Sequence, residues 1–279
     1  MRQPDSSMPP VLKQFSSICG GPSFGAAHQI HCWTIVAGPV FWLFIGSSIM
    51  ADYLITGTNR GIGLELVKQT LAQGHHVIAT ARDPEAVPAL KELAAINPAL
   101  TLAPLDLADA DSYDALLGRL GDRPIDVLIN NAGIYGPRDA VFGKLQADEW
   151  LQVFHVDTIA PLLLTQKLMP NLRQGNERRI AFMSSKMGSV ADNGSGGSYI
   201  YRTAKSALNQ AVKSLSIDLQ PEQFIVLSLH PGWVRTDMGG PNGLIDTETS
   251  ANGLLSVIQQ AGPVDSGAFI AYDGQRIPW

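Results

Sequence analysis

Beyond residue 49 this chain contains no cysteine: its only two, Cys19 and Cys32, lie in the first 49 residues. The body of the chain can therefore carry no disulfide framework, which suits a reducing compartment, and the cytoplasm is the expected location. Cys19, His28, His31 and Cys32 lack the paired C-x2-C spacing of zinc sites, and His31 and Cys32 are adjacent, so no metal site is expected. Runs of Lys and Arg are also missing. With 20 basic against 25 acidic residues the formal charge is -5, and no basic stripe is available for a nucleic-acid partner. There is no internal repeat and no low-complexity segment.

Charge is absent altogether from Gln14 through Ala51, and "WTIVAGPVFWLFIGSSIM", Trp33 to Met50, is mostly apolar. A membrane-spanning helix needs about 20 predominantly apolar residues. This stretch is broken by Gly38, Pro39, Gly46, Ser47 and Ser48. Arg2 and Lys13 precede it as they would in a secretory signal, but no A-x-A-like cleavage site follows before the first expected strand. A third reading starts the natural chain at Met50, with residues 1–49 a mis-set start or appended leader outside the fold. That reading is favoured, and a membrane anchor through residues 33–49 is the runner-up.

What is present from Met50 onward is an alternation. Short apolar runs, "DYLIT" (52–56), "HVIATA" (76–81), "LTLAPLD" (100–106), "DVLIN" (126–130), "RIAFMSS" (179–185), "FIVLSLH" (224–230) and "AFIAY" (268–272), read as strands. Between them apolar residues recur at helical spacing, as in Leu64, Val67, Leu71 and Leu208, Val212, Leu215. Such alternation predicts βα units feeding one parallel sheet. Strands that are apolar on both sides imply helices on both faces, a doubly wound (Rossmann) sheet over residues 50–279. A chain of 279 residues, 45% hydrophobic and 16% charged, is large enough for one such domain.

The first expected βα turn is "TGTNRGIG", with Gly57, Gly61 and Gly63 between strand and helix. Small residues there let the backbone approach a pyrophosphate at a helix N-terminus, where unpaired N–H groups favour an anion. Further on come "NNAG" (Asn130 to Gly133), Ser185 at the end of the fifth strand, "YRTAK" with Tyr201 and Lys205, and "HPGWVRT" from His230. The T-G-x3-G-x-G turn and the order of these motifs resemble the short-chain dehydrogenase/reductase family. "HPGWVRTDMGGPNG" and the closing "YDGQRIPW" are similar to its C-factor/Sniffer-like carbonyl reductase group.

Tyr201 and Lys205 stand one helical turn apart, so ammonium and phenol share a face. A nearby cation favours the phenolate of a tyrosine whose ordinary pKa is about 10, and such a tyrosine can exchange a proton with a carbonyl oxygen or an alcohol. Ser185, at a strand's carboxyl end, can bind the same oxygen. The resemblance implies Ser185, Tyr201 and Lys205 as catalytic residues and a nicotinamide as hydride source, turning a carbonyl into an alcohol or the reverse. It also implies cofactor contacts from Gly57, Thr58, Asn59, Arg60, Gly61, Ile62 and Gly63, from Asp106, from Asn131, Ala132 and Gly133, and from Pro231, Gly232, Val234 and Thr236. A homo-oligomer is implied as well. Where NAD-specific members carry an acidic residue after the second strand, this chain has Ala81 and Arg82. A guanidinium there can grip a 2′-phosphate, so NADP(H) is expected over NAD(H), with Arg60 a second candidate.

Asp157 occupies the position where most members of the family carry asparagine, adding a negative charge to the catalytic set. Tyr199, whose i+4 neighbour is the uncharged Thr203, reads as pocket lining, and His230 as a structural residue at a strand end. About fifteen residues, Asp237 to Ala251, are expected before the next helix, a short lid over a rather open pocket. A signalling or cofactor-sensing protein with little turnover is the alternative to an enzyme.

Overall fold

A computed structural model describes residues 50–279. The four Cys and His residues at positions 19–32 and the apolar run from Trp33 through Ile49 lie outside the described residues. Seven strands, β1 (Asp52–Thr56), β2 (His76–Ala81), β3 (Leu100–Pro104), β4 (Val127–Asn130), β5 (Arg179–Met183), β6 (Ile225–His230) and β7 (Phe269–Ala271), form one sheet in the order β3-β2-β1-β4-β5-β6-β7. Every neighbouring pair is parallel. Parallel neighbours need crossovers, and helices supply them. They are α1 (Gly61–Ala72), α2 (Pro88–Ile96), α3 (Asp111–Leu120), α4 (Ala147–Phe154), α5 (Ala160–Gln174), α6 (Tyr199–Asp218) and α7 (Thr247–Gln260).

The two-residue period of a strand sorts its apolar side chains between the two faces. Tyr53, Ile55, Val77, Ala79, Val127 and Ile129 join Leu66 and Val67 of α1 and Leu254, Leu255 and Ile258 of α7 in one cluster. Leu54, Ile78, Leu128, Ile180 and Phe182 join Leu116 of α3, Leu164 and Leu168 of α5, and Leu208 and Val212 of α6 in the other. Each fully buried Leu or Ile contributes about 1.5–3 kcal/mol. Both faces are thus covered, and the sheet is the doubly wound one that the apolar runs predict.

Strand order reverses at β1, whose neighbours are β2 and β4. That switch point opens a crevice at the strands' carboxyl ends, between the turn after Thr56 and the segment after Asn130. Beyond β6, the loop between Thr236 and α7 is shorter than the sequence suggests. Asp246 caps α7 by accepting from the Thr249 N–H at 2.8 Å, so the helix begins at Thr247. Among the described residues no helix is long and apolar enough to cross a membrane.

Candidate active site

The crevice is built by ties between β1 and β4. The Thr56 hydroxyl accepts from the backbone N–H groups of Asn131 and Ala132, both at 3.0 Å. The Asn131 side-chain amide donates to the carbonyls of Thr56 (2.8 Å) and Gly57 (3.2 Å). Gly57 sits at φ +68°, and a Cβ there would lie 2.8 Å from the Ala132 Cα. A Cβ on Gly63 would strike the Gly57 carbonyl oxygen. Glycine at these two positions lets turn, helix and β4 close on one another. Arg60 precedes α1 without a side-chain cap, leaving the helix's first N–H groups for an anion. These features fit a dinucleotide, whose pyrophosphate the turn from Gly57 to Gly63 would hold.

A cleft of about 920 Å³ runs from this turn past the ends of β2, β3 and β4 to Tyr201. Gly57, Asn59, Arg60, Gly61, Ile62, Gly63, Arg82, Asp106, Asn131, Ala132, Gly133, Asp157, Tyr201, Lys205, Pro231 and Thr236 all line it. Thr58 does not: it is buried, and its hydroxyl donates to the Thr80 carbonyl at 3.1 Å. Val234 is buried and bridges to Ile245, and Gly232, at φ +86°, packs on Ile245 and Tyr272. Arg82 is exposed and pairs with no carboxylate among the described residues, and Asp83 turns its own carboxylate back onto the Ala86 N–H at 3.2 Å. Arg60 instead pairs with Asp237 at 2.6 Å, so its guanidinium is engaged. The Asp106 carboxylate closes a local turn on the Ala108 N–H at 2.9 Å. Thr56, Leu107 and Met238 belong to the site without having been singled out. A threonine at a strand end directly before a glycine turn is the signal Thr56 offered.

Tyr201 and Lys205 lie on α6, with the Lys205 Nζ 5.7 Å from the Tyr201 ring centroid. Lys205 is almost wholly buried, and its Nζ donates to the Met183 carbonyl at the end of β5 at 2.9 Å. Its other partner is Asp157, 3.1 Å from Nζ and buried. Between α4 and α5 the helix widens into a π-turn, His155–Ile159, which holds Asp157. Such wide turns are frequent at functional sites. The second Asp157 oxygen accepts from the Ile134 N–H at 2.8 Å, and the Thr158 hydroxyl donates to the Ala204 carbonyl at 2.8 Å, fixing the π-turn to α6. Ser185 follows β5, nearly buried, where its oxygen accepts from the Met187 N–H at 3.2 Å.

Charge balance follows from this packing. Burial raises the Asp157 carboxyl above its ordinary value, against the opposing pull of Lys205 and the Ile134 N–H. Burial, and then the Asp157 charge, push the Tyr201 phenol well above the ordinary tyrosine range, while the Ser185 hydroxyl pulls the other way. The Lys205 ammonium faces Asp157, whose charge opposes ionisation of the Tyr201 phenol. His230 is pushed down to about 4, by burial first and the Lys186 charge second. Its Nδ1 accepts from the Lys186 N–H at 3.2 Å, a structural role. Tyr199 keeps its ring beside Phe142, centroids 6.0 Å apart. Among the described residues no cluster of His, Cys, Asp and Glu is arranged to hold a metal.

The sequence model of the short chain dehydrogenases matches residues 52–244. The chain belongs to the short-chain dehydrogenase/reductase family. The C-signal protein of Myxococcus xanthus is 47% identical over 156 residues, covering 56% of this chain and 93% of that one. Among solved structures, the carbonyl reductase Sniffer of D. melanogaster shares 39% identity at a TM-score of 0.78, over 82% of this chain and 100% of that one. An NADPH-bound carbonyl reductase from chicken fatty liver shares 33% identity at a TM-score of 0.76, over 82% and 99%. As a short-chain dehydrogenase/reductase the chain is an oxidoreductase acting on small molecules.

Proposed function

We propose that this protein reduces an aldehyde or ketone to the alcohol, and catalyses the reverse, using NADP(H). The observation that carries this reading is the placing of Tyr201 and Lys205 in the cleft that begins at an uncapped helix and a glycine turn, with the Ser185 hydroxyl beside the Tyr201 phenol. When bound, the nicotinamide supplies or takes the hydride. Ser185 orients the substrate oxygen, and Tyr201 delivers the proton to it during reduction. Lys205 holds the phenol's surroundings polar and is itself held by Met183 and Asp157. Arg82, at the end of β2, favours a 2′-phosphate, and the NADPH-bound relative supports the same preference. In this reading residues 50–279 form the catalytic domain and residues 1–49 stand outside it, and the working form is a cytoplasmic homo-oligomer.

The test is NADPH oxidation over a panel of aldehydes, ketones and quinones. Tyr201→Phe should abolish turnover while NADPH still binds, because only the phenolic proton donor is removed. Undiminished turnover in that variant would overturn the mechanism. Identity of 47% with C-signal favours a second reading, a signalling protein of this fold with little turnover. Tight NADPH binding with no member of the panel reduced would select it.

A further inference from the structure

Tyr135, two residues beyond the NNAG segment, is not needed to hold the cofactor or move the proton, yet it is fixed against the proton donor. Its ring centroid lies 4.6 Å from that of Tyr201, the planes tilted by 31°. The Tyr135 and Ser198 hydroxyls share a hydrogen bond of 3.0 Å. Ser198, just before α6, is held at φ +47°, a left-handed conformation uncommon for a residue with a side chain. The Arg138 guanidinium completes the arrangement, 5.5 Å from the Tyr135 ring centroid, a cation–π separation. It donates at 2.8 Å to the carbonyl of Met238, which lines the cleft.

Arg138 is exposed and has no carboxylate partner among the described residues. Asp237, the neighbour of Met238, is already taken by Arg60. Asp139 is adjacent in sequence but forms no ion pair with Arg138. A guanidinium offers five N–H donors in a planar fork, suited to grip a carboxylate with two parallel bonds. Here one such fork lies a single aromatic ring beyond Tyr201, tied to the cleft through the Met238 carbonyl and to the Tyr135 ring, contacts that leave its remaining donors available.

Building on the carbonyl-reductase reading, we propose that Tyr135 and Arg138 form the substrate-recognition wall, and that the preferred substrate is a planar carbonyl compound with a carboxylate about one ring's length from the reacting carbon. The ring lies against Tyr135, and the carboxylate reaches Arg138. Neutral carbonyls of the same shape keep the ring contact and lose the ionic one.

A matched pair tests this: 4-formylbenzoate and methyl 4-formylbenzoate, which share ring and aldehyde and differ in charge, assayed with the full chain and NADPH. The acid should have the higher kcat/KM by roughly tenfold, the scale of one charge-assisted hydrogen bond, and the ratio should shrink as salt rises. Arg138→Gln should bring the acid-to-ester ratio near one, mainly through KM for the acid, and Arg138→Lys should keep part of it. An acid-to-ester ratio near one in the parent protein, or a ratio unchanged in Arg138→Gln, overturns the assignment while leaving the carbonyl-reductase reading intact. If the protein binds NADPH and oxidises it with neither aldehyde nor any carbonyl of the panel, that reading falls and the assignment with it.

Discussion

Replacing Asp157 by asparagine should lower the pKa of Tyr201 and shift the pH dependence of the oxidising reaction. Asp157 lies 3.1 Å from Lys205 Nζ, which lies 5.7 Å from the Tyr201 ring centroid. The carboxylate is thus within about 9 Å of the ring, and at an effective dielectric of about 20 two full charges at that distance interact by about 1.8 kcal/mol, roughly 1.4 pH units. Asparagine keeps an oxygen for the Ile134 N–H but loses the charge, so the phenolate is no longer opposed from that side. In alcohol oxidation the phenolate is the base. The assay is kcat/KM for oxidation of an accepted alcohol with NADP+ across pH, in the parent and in Asp157→Asn. The rising limb should move to lower pH by about one unit or more. Lys205→Ala, which leaves the buried carboxylate unbalanced, should move it upward. A limb that stays in place or rises in Asp157→Asn refutes the electrostatic argument.

Arg82→Ala should weaken NADPH binding by roughly 1.5–3 kcal/mol and leave NADH nearly unaffected, measured by titration; equal losses would assign Arg82 a purely structural role. His230 is depressed to about 4 from 6.5, so the unfolded chain takes up its proton first on acidification. Stability should fall from pH 6.5 down to about 4, by up to about 1.4 kcal/mol per pH unit, and His230→Gln should flatten Tm over that window. A protein reduced to residues 50–279 should fold and bind NADPH as the full chain does, since β1 begins at Asp52, and loss of binding would show that residues 1–49 contribute.

The strands were legible because period and composition agree. "DYLIT" and "HVIATA" coincide with β1 and β2 residue for residue, and each is flanked by a turn signal. β3 and β5 stop short of the apolar runs because the backbone turns at the carboxyl end to face the crevice, as at Ser185, whose side chain starts a new turn. The glycine turn and the Tyr201–Lys205 pair were legible because their spacing is local. The Arg60–Asp237 ion pair was not, since it joins residues 177 positions apart. Tyr135 against Tyr201 was hidden for the same reason, as it depends on how a loop after β4 meets α6. The environment of Tyr201 was legible in part: sequence shows the lysine one turn away and, through the family resemblance, Asp157 in the same set, while packing supplies the 3.1 Å contact between them.

The π-turn at His155–Ile159 has a consequence for the long helix that contains it. Each residue advances an α-helix by about 100°, so one residue extra sets the two halves out of phase. Before it, Val153 meets Ile200 and Ala204, and the Trp150 indole donates to the Thr203 hydroxyl at 2.8 Å, so this half is keyed to α6. After it, Leu164, Leu168 and Leu172 are keyed to the sheet. A regular helix has a single angular setting and cannot satisfy both partners at once. Deleting one residue from this turn would make the helix more ideal, yet it would swing one half by about a quarter turn off its partner and carry the carboxylate away from Lys205.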